Sequence, residues 1–189
     1  MLSTLPSFEM LALVQPVASW LTQRSQIESM EIAMTISVLF VCLGNICRSP
    51  LAEGAMRRLV ESEGAAVEID SAGTGDWHIG HAPDPRAQAE ALRQGLDISM
   101  LRARQVTEED FHRFDHIVAM DAKNLADLLA MQPGGARAAL SLLLDHAEGG
   151  DVPDPYYGGD EGFAETFRLV EDGARGLLQA IKGQRATTV

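Results

Sequence analysis

The chain is short of cysteine, of positive charge and of long apolar runs, and each shortage removes a class of protein. Two cysteines, Cys42 and Cys47, occur in 189 residues. Disulfide-stapled secreted domains carry more, so a reducing compartment, the cytoplasm, is expected. Zinc does not suit the pair, because no second cysteine or histidine cluster supplies the remaining ligands. The histidines, at 78, 81, 112, 116 and 146, show no metal or base spacing. Lys and Arg number 15 against 27 Asp and Glu, a net charge of −12. Binding a nucleic-acid backbone needs clustered cations, so no nucleic-acid partner is expected. The acidic surface gives no long-range pull on an anion either, so any anion site must be local. No run of about 18 apolar residues exists to cross a membrane. Gly-Lys-Ser/Thr is missing too, which sets aside the phosphate cradle of NTPases. Neither a metal nor a cofactor is expected, and the oligomeric state stays open.

What is present fits one domain. Hydrophobic residues make up 46% and charged residues 22%, the balance of a globular chain with room for a core. Residues 1–33 fit the rest badly. Their apolar stretch has no Lys or Arg before it, unlike a secretory signal, and Pro6 and Pro16 interrupt any long helix. They read as a poorly ordered extension or a start placed too early, with Met34 as the working start; a short docking helix is the alternative. The domain is expected over residues 34–183, with a tail over 184–189.

From Ile36 the sequence is orderly. ISVLFVC reads as a strand buried on both faces of a parallel sheet. A helix follows from Ser49, with Leu51, Ala55 and Leu59 inward and Glu53, Arg57 and Glu61 toward water. VEIDSAGT is a second strand. Asp84-Pro85 opens a helix expected to carry Ala89, Leu92 and Leu96 inward. Thr107 and Asp110 suggest a capping box, although Asp stands where Glu or Gln is usual. HIVAMD is a third strand, and Asp121 can cap the helix carrying Leu125, Leu128 and Leu129, which Gly134-Gly135 stops. A fourth strand is expected within Ala139–Leu144. The last helix shows Phe163, Phe167, Val170, Ala174, Leu177 and Ile181 at spacings of four and three. Alternation of strand and helix predicts an α/β fold: an open, parallel, four-stranded sheet with helices on both faces. Ligands in such sheets bind at the carboxyl ends of strands, where Cys42 stands.

The loop from Cys42 to Ser49, CLGNICRS, joins that first strand to a helix. Successive N–H groups in such a loop can curl around a tetrahedral anion while the helix N-terminus faces the same spot. Gly44 allows a backbone angle closed to other residues, and Asn45 tolerates a left-handed one. Arg48 offers a planar fork for two phosphate oxygens. The same field favours a thiolate at Cys42, and Ser49 can donate to it. Alone, Cys42 would be a small core residue; with Gly44, Arg48 and Ser49 in register behind a strand, it reads as a nucleophile.

VLFVCLGNICRSP resembles the signature of the low-molecular-weight protein-tyrosine phosphatases. The resemblance continues in order through SAGTGDWHIG, APDPRA, RARQVTEEDF, VAMDAKN and VPDPYYGG. It covers Ile36 to Lys182. The family implies a phosphotyrosine protein or small aryl phosphate as substrate and a cysteinyl-phosphate intermediate. By resemblance Cys42 is the nucleophile, Arg48 the phosphate clamp, Ser49 the thiolate's partner, and Leu43, Gly44, Asn45, Ile46 and Cys47 the rest of the phosphate-binding loop. Asp154 corresponds to the general acid; read without the family, Asp154-Pro155 is a turn initiator. Asp151 is assigned to the solvated rim. Trp77, Tyr156 and Tyr157 would wall a cleft for a phenyl ring. Relatives selective for phosphoarginine carry threonine where Ile46 stands, so isoleucine implies tyrosine substrates. Relatives can also join the cysteines corresponding to Cys42 and Cys47. One departure stands out: Leu101 occupies the place of a histidine that helps to hold the loop asparagine, so Asn45 needs another partner.

Two rival functions share these residues. An arsenate reductase on this fold needs a further cysteine pair to pass a disulfide outward. A phosphotyrosine-binding module without turnover would not need Cys42, Arg48 and Asp154 together. Arsenate-dependent thioredoxin oxidation and turnover of p-nitrophenyl phosphate separate the three.

Overall fold

The computed structural model describes residues 35–187. The extension expected over residues 1–33 lies outside the described residues. The first strand, β1, spans Ile36–Cys42 and lies between β2 (Val67–Gly73) and β3 (His116–Ala119), with β4 (Ala139–Leu142) beyond β3. All pairings are parallel, from Ile36 opposite Val67 to Cys42 opposite Gly73, and from Val38 opposite His116 to Val41 opposite Ala119. The sheet order β2-β1-β3-β4 puts Cys42 at the carboxyl end of an interior strand. Chain connections leave β1 and β3 in opposite directions there, which opens a crevice.

Both faces of β1 are covered, and its residues sort by alternation. Val38, Phe40 and Cys42 enter one core; Leu39 and Val41 enter the other. The first core is closed by α1 (Arg48–Glu63) and α5 (Asp160–Thr187), through Leu51, Met56 and Leu59 and through Phe163, Phe167, Val170, Ala174, Leu177 and Ile181. All six α5 residues expected inward are buried, and each large apolar side chain so placed contributes about 1.5–3 kcal/mol. The second core takes Phe111 from α3 (Asp110–Arg113), Phe114 just beyond it, and Leu128 from α4 (Ala122–Met131). The last helix runs on to Thr187, into the segment set aside as a tail.

Four local expectations change. In α2 (Pro85–Arg93), Asp84 caps as expected, its Oδ1 accepting from the Arg86 N–H at 2.8 Å. The buried face is however Ala87, Glu90 and Ala91, while Ala89 and Leu92 face water and Leu96, past the helix, is half-buried. Alanines let α2 approach α5 closely, and the larger leucine is left outside. Leu129 of α4 is likewise exposed beside buried Leu128. That helix ends at Met131 ahead of Pro133, before the glycine pair is reached. At α3 only one half of a capping box forms: the Asp110 carboxylate accepts from the Thr107 N–H and hydroxyl.

Candidate active site

The loop after β1 is shaped by close backbone approach. A Cβ on Gly73 of β2 would stand 2.8 Å from the Leu43 carbonyl oxygen, so only glycine fits beside the loop. The left-handed residue is Asn45, at φ 54°, and not Gly44. Gly44 serves to make room, since a Cβ there would meet the His78 ring at 3.0 Å.

For a residue with a Cβ that conformation costs on the order of 1 kcal/mol, and Asn45 is held in it on every side. Its Nδ2 donates to Ser49 Oγ and Ser71 Oγ, both at 2.9 Å, and its Oδ1 accepts from the Arg104 N–H at 2.9 Å. This answers the absence of a histidine at Leu101, which packs on the apolar core instead. Behind Asn45, Ser71 Oγ donates to Glu53 Oε2 at 2.6 Å, and Glu53 Oε1 accepts from Arg57 Nε and Nη2 at 2.9 and 2.8 Å. Glu53 was expected in water, yet it is 2% exposed. Burial raises its carboxyl above the ordinary range, against the pull of Ser71 and Arg57. The bonds run outward from Asn45, whose amide donates both ways. Ser71 donates to Glu53, so its oxygen is free to accept one Asn45 N–H, and the other Asn45 N–H goes to Ser49 Oγ. Ser49 then has its own proton for Cys42 Sγ, 3.1 Å away, with the Ala72 carbonyl as the competing acceptor at 3.3 Å. A thiolate accepts only, so ionised Cys42 takes that proton as well as the Asn45 N–H at 3.2 Å.

Arg48 opens α1 and is 3% exposed. Burial works against its charge, but Cys42, Asp121 and Asp154 outweigh burial and hold the guanidinium protonated. Nη1 donates to Asp121 Oδ2 and to the Val152 carbonyl, and Nη2 donates to Asp154 Oδ2 at 2.9 Å. Asp121 was read as a cap alone. It does cap α4, Oδ1 accepting from the Asn124 N–H at 2.6 Å, but its second oxygen holds Nη1 of Arg48. Cys47, by contrast, is pushed well above the ordinary thiol range, first by burial and then by the charge of Asp84. That makes Cys47 a poor nucleophile, and both thiols are free.

A cleft of about 410 Å³ brings together Cys42, Leu43, Gly44, Ile46, Cys47, Arg48, Trp77, His78, Asp154, Tyr156 and Tyr157. Of the residues expected at the site, Asn45 and Ser49 do not line it; both are buried beneath the loop. Trp77 is 66% and Tyr157 96% exposed, and the two tyrosines meet edge to face at 5.0 Å. Asp151 is exposed and does not line the cleft; its Oδ1 accepts from the Ala122 N–H. Asp154 is tied to its own loop by the Tyr156 N–H at 3.1 Å.

A family model described as low molecular weight phosphotyrosine protein phosphatase matches residues 37–187. The chain belongs to this family. Similar members include the low molecular weight protein-tyrosine-phosphatase YfkJ of Bacillus subtilis, 44% identical over 155 residues, which cover 79% of this chain and 98% of that protein. Its crystal structure has a TM-score of 0.74 over 79% of this chain and 96% of that one. The human low molecular weight phosphotyrosine protein phosphatase is 42% identical over 77% of this chain and 95% of its own length. The crystal structure of DARP, a Drosophila arginine phosphatase, is also similar, at 32% identity and a TM-score of 0.73 over 77% and 97% of the two chains. The family's fold is the fold described above.

Proposed function

We propose that this phosphatase hydrolyses phosphotyrosine and other aryl phosphate monoesters with Cys42 as nucleophile, Arg48 as phosphate clamp and Asp154 as general acid and base. The observation that carries the reading is the convergence of these three groups in one cleft walled by Trp77, Tyr156 and Tyr157.

The ester's phosphate replaces Asp154 on Nη2 of Arg48, which leaves the Asp154 carboxyl free to face the leaving oxygen. The Cys42 thiolate attacks phosphorus. As the S–P bond forms, the bond to the aryl oxygen breaks, and Asp154 gives that oxygen its proton. Asp154, now a carboxylate, takes a proton from water, whose oxygen attacks phosphorus. The S–P bond breaks, Ser49 donates to the departing thiolate, and inorganic phosphate leaves. Leu43, Gly44, Asn45, Ile46 and Cys47 supply the loop backbone around the phosphate, and the start of α1 has no side-chain cap to compete with an anion there.

A cytoplasmic location suits two free thiols on one loop, since the nucleophile must stay reduced. Turnover of p-nitrophenyl phosphate by the purified protein, with trapping of a phosphorylated Cys42 by rapid acid quench, tests the reading. No phosphoenzyme, or phosphate on another residue, sinks it.

A further inference from the structure

The loop that bears Asp154 is gripped from outside the cleft by one side chain. Arg86 of α2 makes four hydrogen bonds, two to that loop and two to Asp84. Nη1 donates to the Gly158 carbonyl at 3.0 Å and Nη2 to the Tyr156 carbonyl at 3.0 Å, while Nε and Nη2 also bind the two oxygens of Asp84 at 3.0 and 2.9 Å. The guanidinium carbon stands 4.7 Å from the ring centre of Phe163, a core residue, and 5.8 Å from that of Tyr156. Arg86 is thus braced against the core on one side and holds loop carbonyls on the other.

Two further contacts give this brace a purpose. The Tyr156 N–H binds Asp154 Oδ1, so the residue whose carbonyl Arg86 holds is the one whose N–H positions the carboxyl. The Asp84 N–H donates to the Ile46 carbonyl at 2.8 Å, so the partner of Arg86 is attached to the phosphate-binding loop. Asp84 and Arg86 therefore link the loop that holds phosphorus to the loop that delivers the proton. A flat fork is needed for this, because the two carbonyls and the carboxylate are met at once.

We infer that Arg86 is a positioning residue for proton transfer, a strut that fixes the distance between the phosphate-binding loop and the Asp154 carboxyl. The inference rests on Asp154 being the general acid. Without the strut the loop still closes over the cleft, but the carboxyl no longer sits opposite the leaving oxygen. Misplacement on the order of 1 Å is enough to matter at a reacting centre.

The experiment compares Arg86→Ala and Arg86→Lys with the parent on phenyl phosphate and p-nitrophenyl phosphate, alone and combined with Asp154→Asn. Melting temperature is followed alongside. Arg86→Ala should lower kcat on phenyl phosphate about tenfold, and much less on p-nitrophenyl phosphate, which leaves with little help. Arg86→Lys keeps the stem on Phe163 but offers a point charge, and should fall between; it carries the comparison if the alanine variant does not fold. In the Asp154→Asn background neither change should add any leaving-group dependence. Equal losses on both esters in the Arg86 variants, beside an unequal loss in Asp154→Asn, overturn the strut alone. An equal loss in Asp154→Asn itself overturns the general-acid reading, and the strut with it.

Discussion

Asp154 Oδ2 lies 2.9 Å from Nη2 of Arg48, so the proton donor and the phosphate clamp of the proposed mechanism bind one another before substrate arrives. The contact is half open to water, with the Asp154 side chain 40% exposed.

Cys42→Ser and Asp154→Asn should consequently fail in different ways. Cys42→Ser abolishes turnover and still binds vanadate or phosphate, because an alcohol fits the same loop but is far less ionised. Asp154→Asn loses general acid catalysis worth about 10²–10⁴-fold on phosphotyrosine, and less on p-nitrophenyl phosphate, whose leaving group is the weaker base. Its burst disappears as phosphorylation becomes rate-limiting. A uniform loss across a series of aryl phosphates would falsify the assignment and turn attention to Asp151.

Asp121 joins a cap to the clamp, and two substitutions separate these duties. Asp121→Ala should lose about 1 kcal/mol of capping, a fall of about 2–4 °C in Tm for a chain of this size, together with about tenfold in kcat/KM. Asp121→Asn retains an oxygen for the cap, so it should keep most of the Tm and still lose activity. If both variants keep parental kcat/KM, Asp121 does not orient Arg48.

The hydrogen-bond chain that joins Glu53 to Cys42 through Asn45 predicts an effect at a distance from phosphate. Glu53→Gln places an amide where Ser71 and Arg57 each need an acceptor, so Ser71 can no longer give its proton freely. One misdirected hydrogen bond costs about 1 kcal/mol, or ~5-fold in rate. Alkylation of Cys42 by iodoacetate near about pH 6 should slow in parallel. Loss of turnover with unchanged alkylation would disconnect Glu53 from the thiolate.

Ile46 lines the cleft and is almost wholly buried. Replacing it with Thr should open room beside the phosphate site and raise phosphoarginine hydrolysis relative to phosphotyrosine. A change of this size in a pocket is worth about 1–3 kcal/mol, so a partial shift is expected. An unaltered ratio would assign the choice to Trp77 and Tyr156.

Acid should destabilise the fold through two histidines. Burial lowers His116 and His146 below the ordinary imidazole value, and for His116 the charge of His146 adds to this while Asp115 opposes it. A folded value below the unfolded one, about 6.5, means that the unfolded chain gains protons first. The stability so contributed is present above that value and is lost as pH falls through the folded one. Tm should drop between about pH 7 and pH 5 in the parent, and drop less in His116→Gln. Parallel curves would exclude His116 as a source.

The sequence showed most of this fold because its strongest signals are local. A continuous apolar run made β1 legible, four-and-three spacing made α5 legible, and the order of small motifs placed Cys42, Arg48 and Asp154 in one family. The parts that escaped depend on residues far apart in the chain. Asp121 looked like a cap because the partner of its second oxygen lies 73 residues away. Glu53 looked solvated because helical spacing does not reveal Ser71 on a neighbouring strand. In α2 the expected leucine lost to Ala87 and Ala91 because a close helix pair needs small side chains, which a hydrophobicity pattern ranks too low.

The long reach of Arg48 also bears on how the chain folds. Its partners Asp121, Val152 and Asp154 lie 73, 104 and 106 residues along the sequence, and every strand pair in the sheet is parallel. Neither can form from a hairpin; large loops must close before any of these bonds is made. On dilution from denaturant, turnover should therefore return after the helical signal, in step with the slowest phase. Phosphate that binds only the assembled cleft stabilises the whole domain by mass action, by about 2.7 kcal/mol at a hundred times its Kd. The product of the reaction is then also a ligand that drives the chain toward its native state.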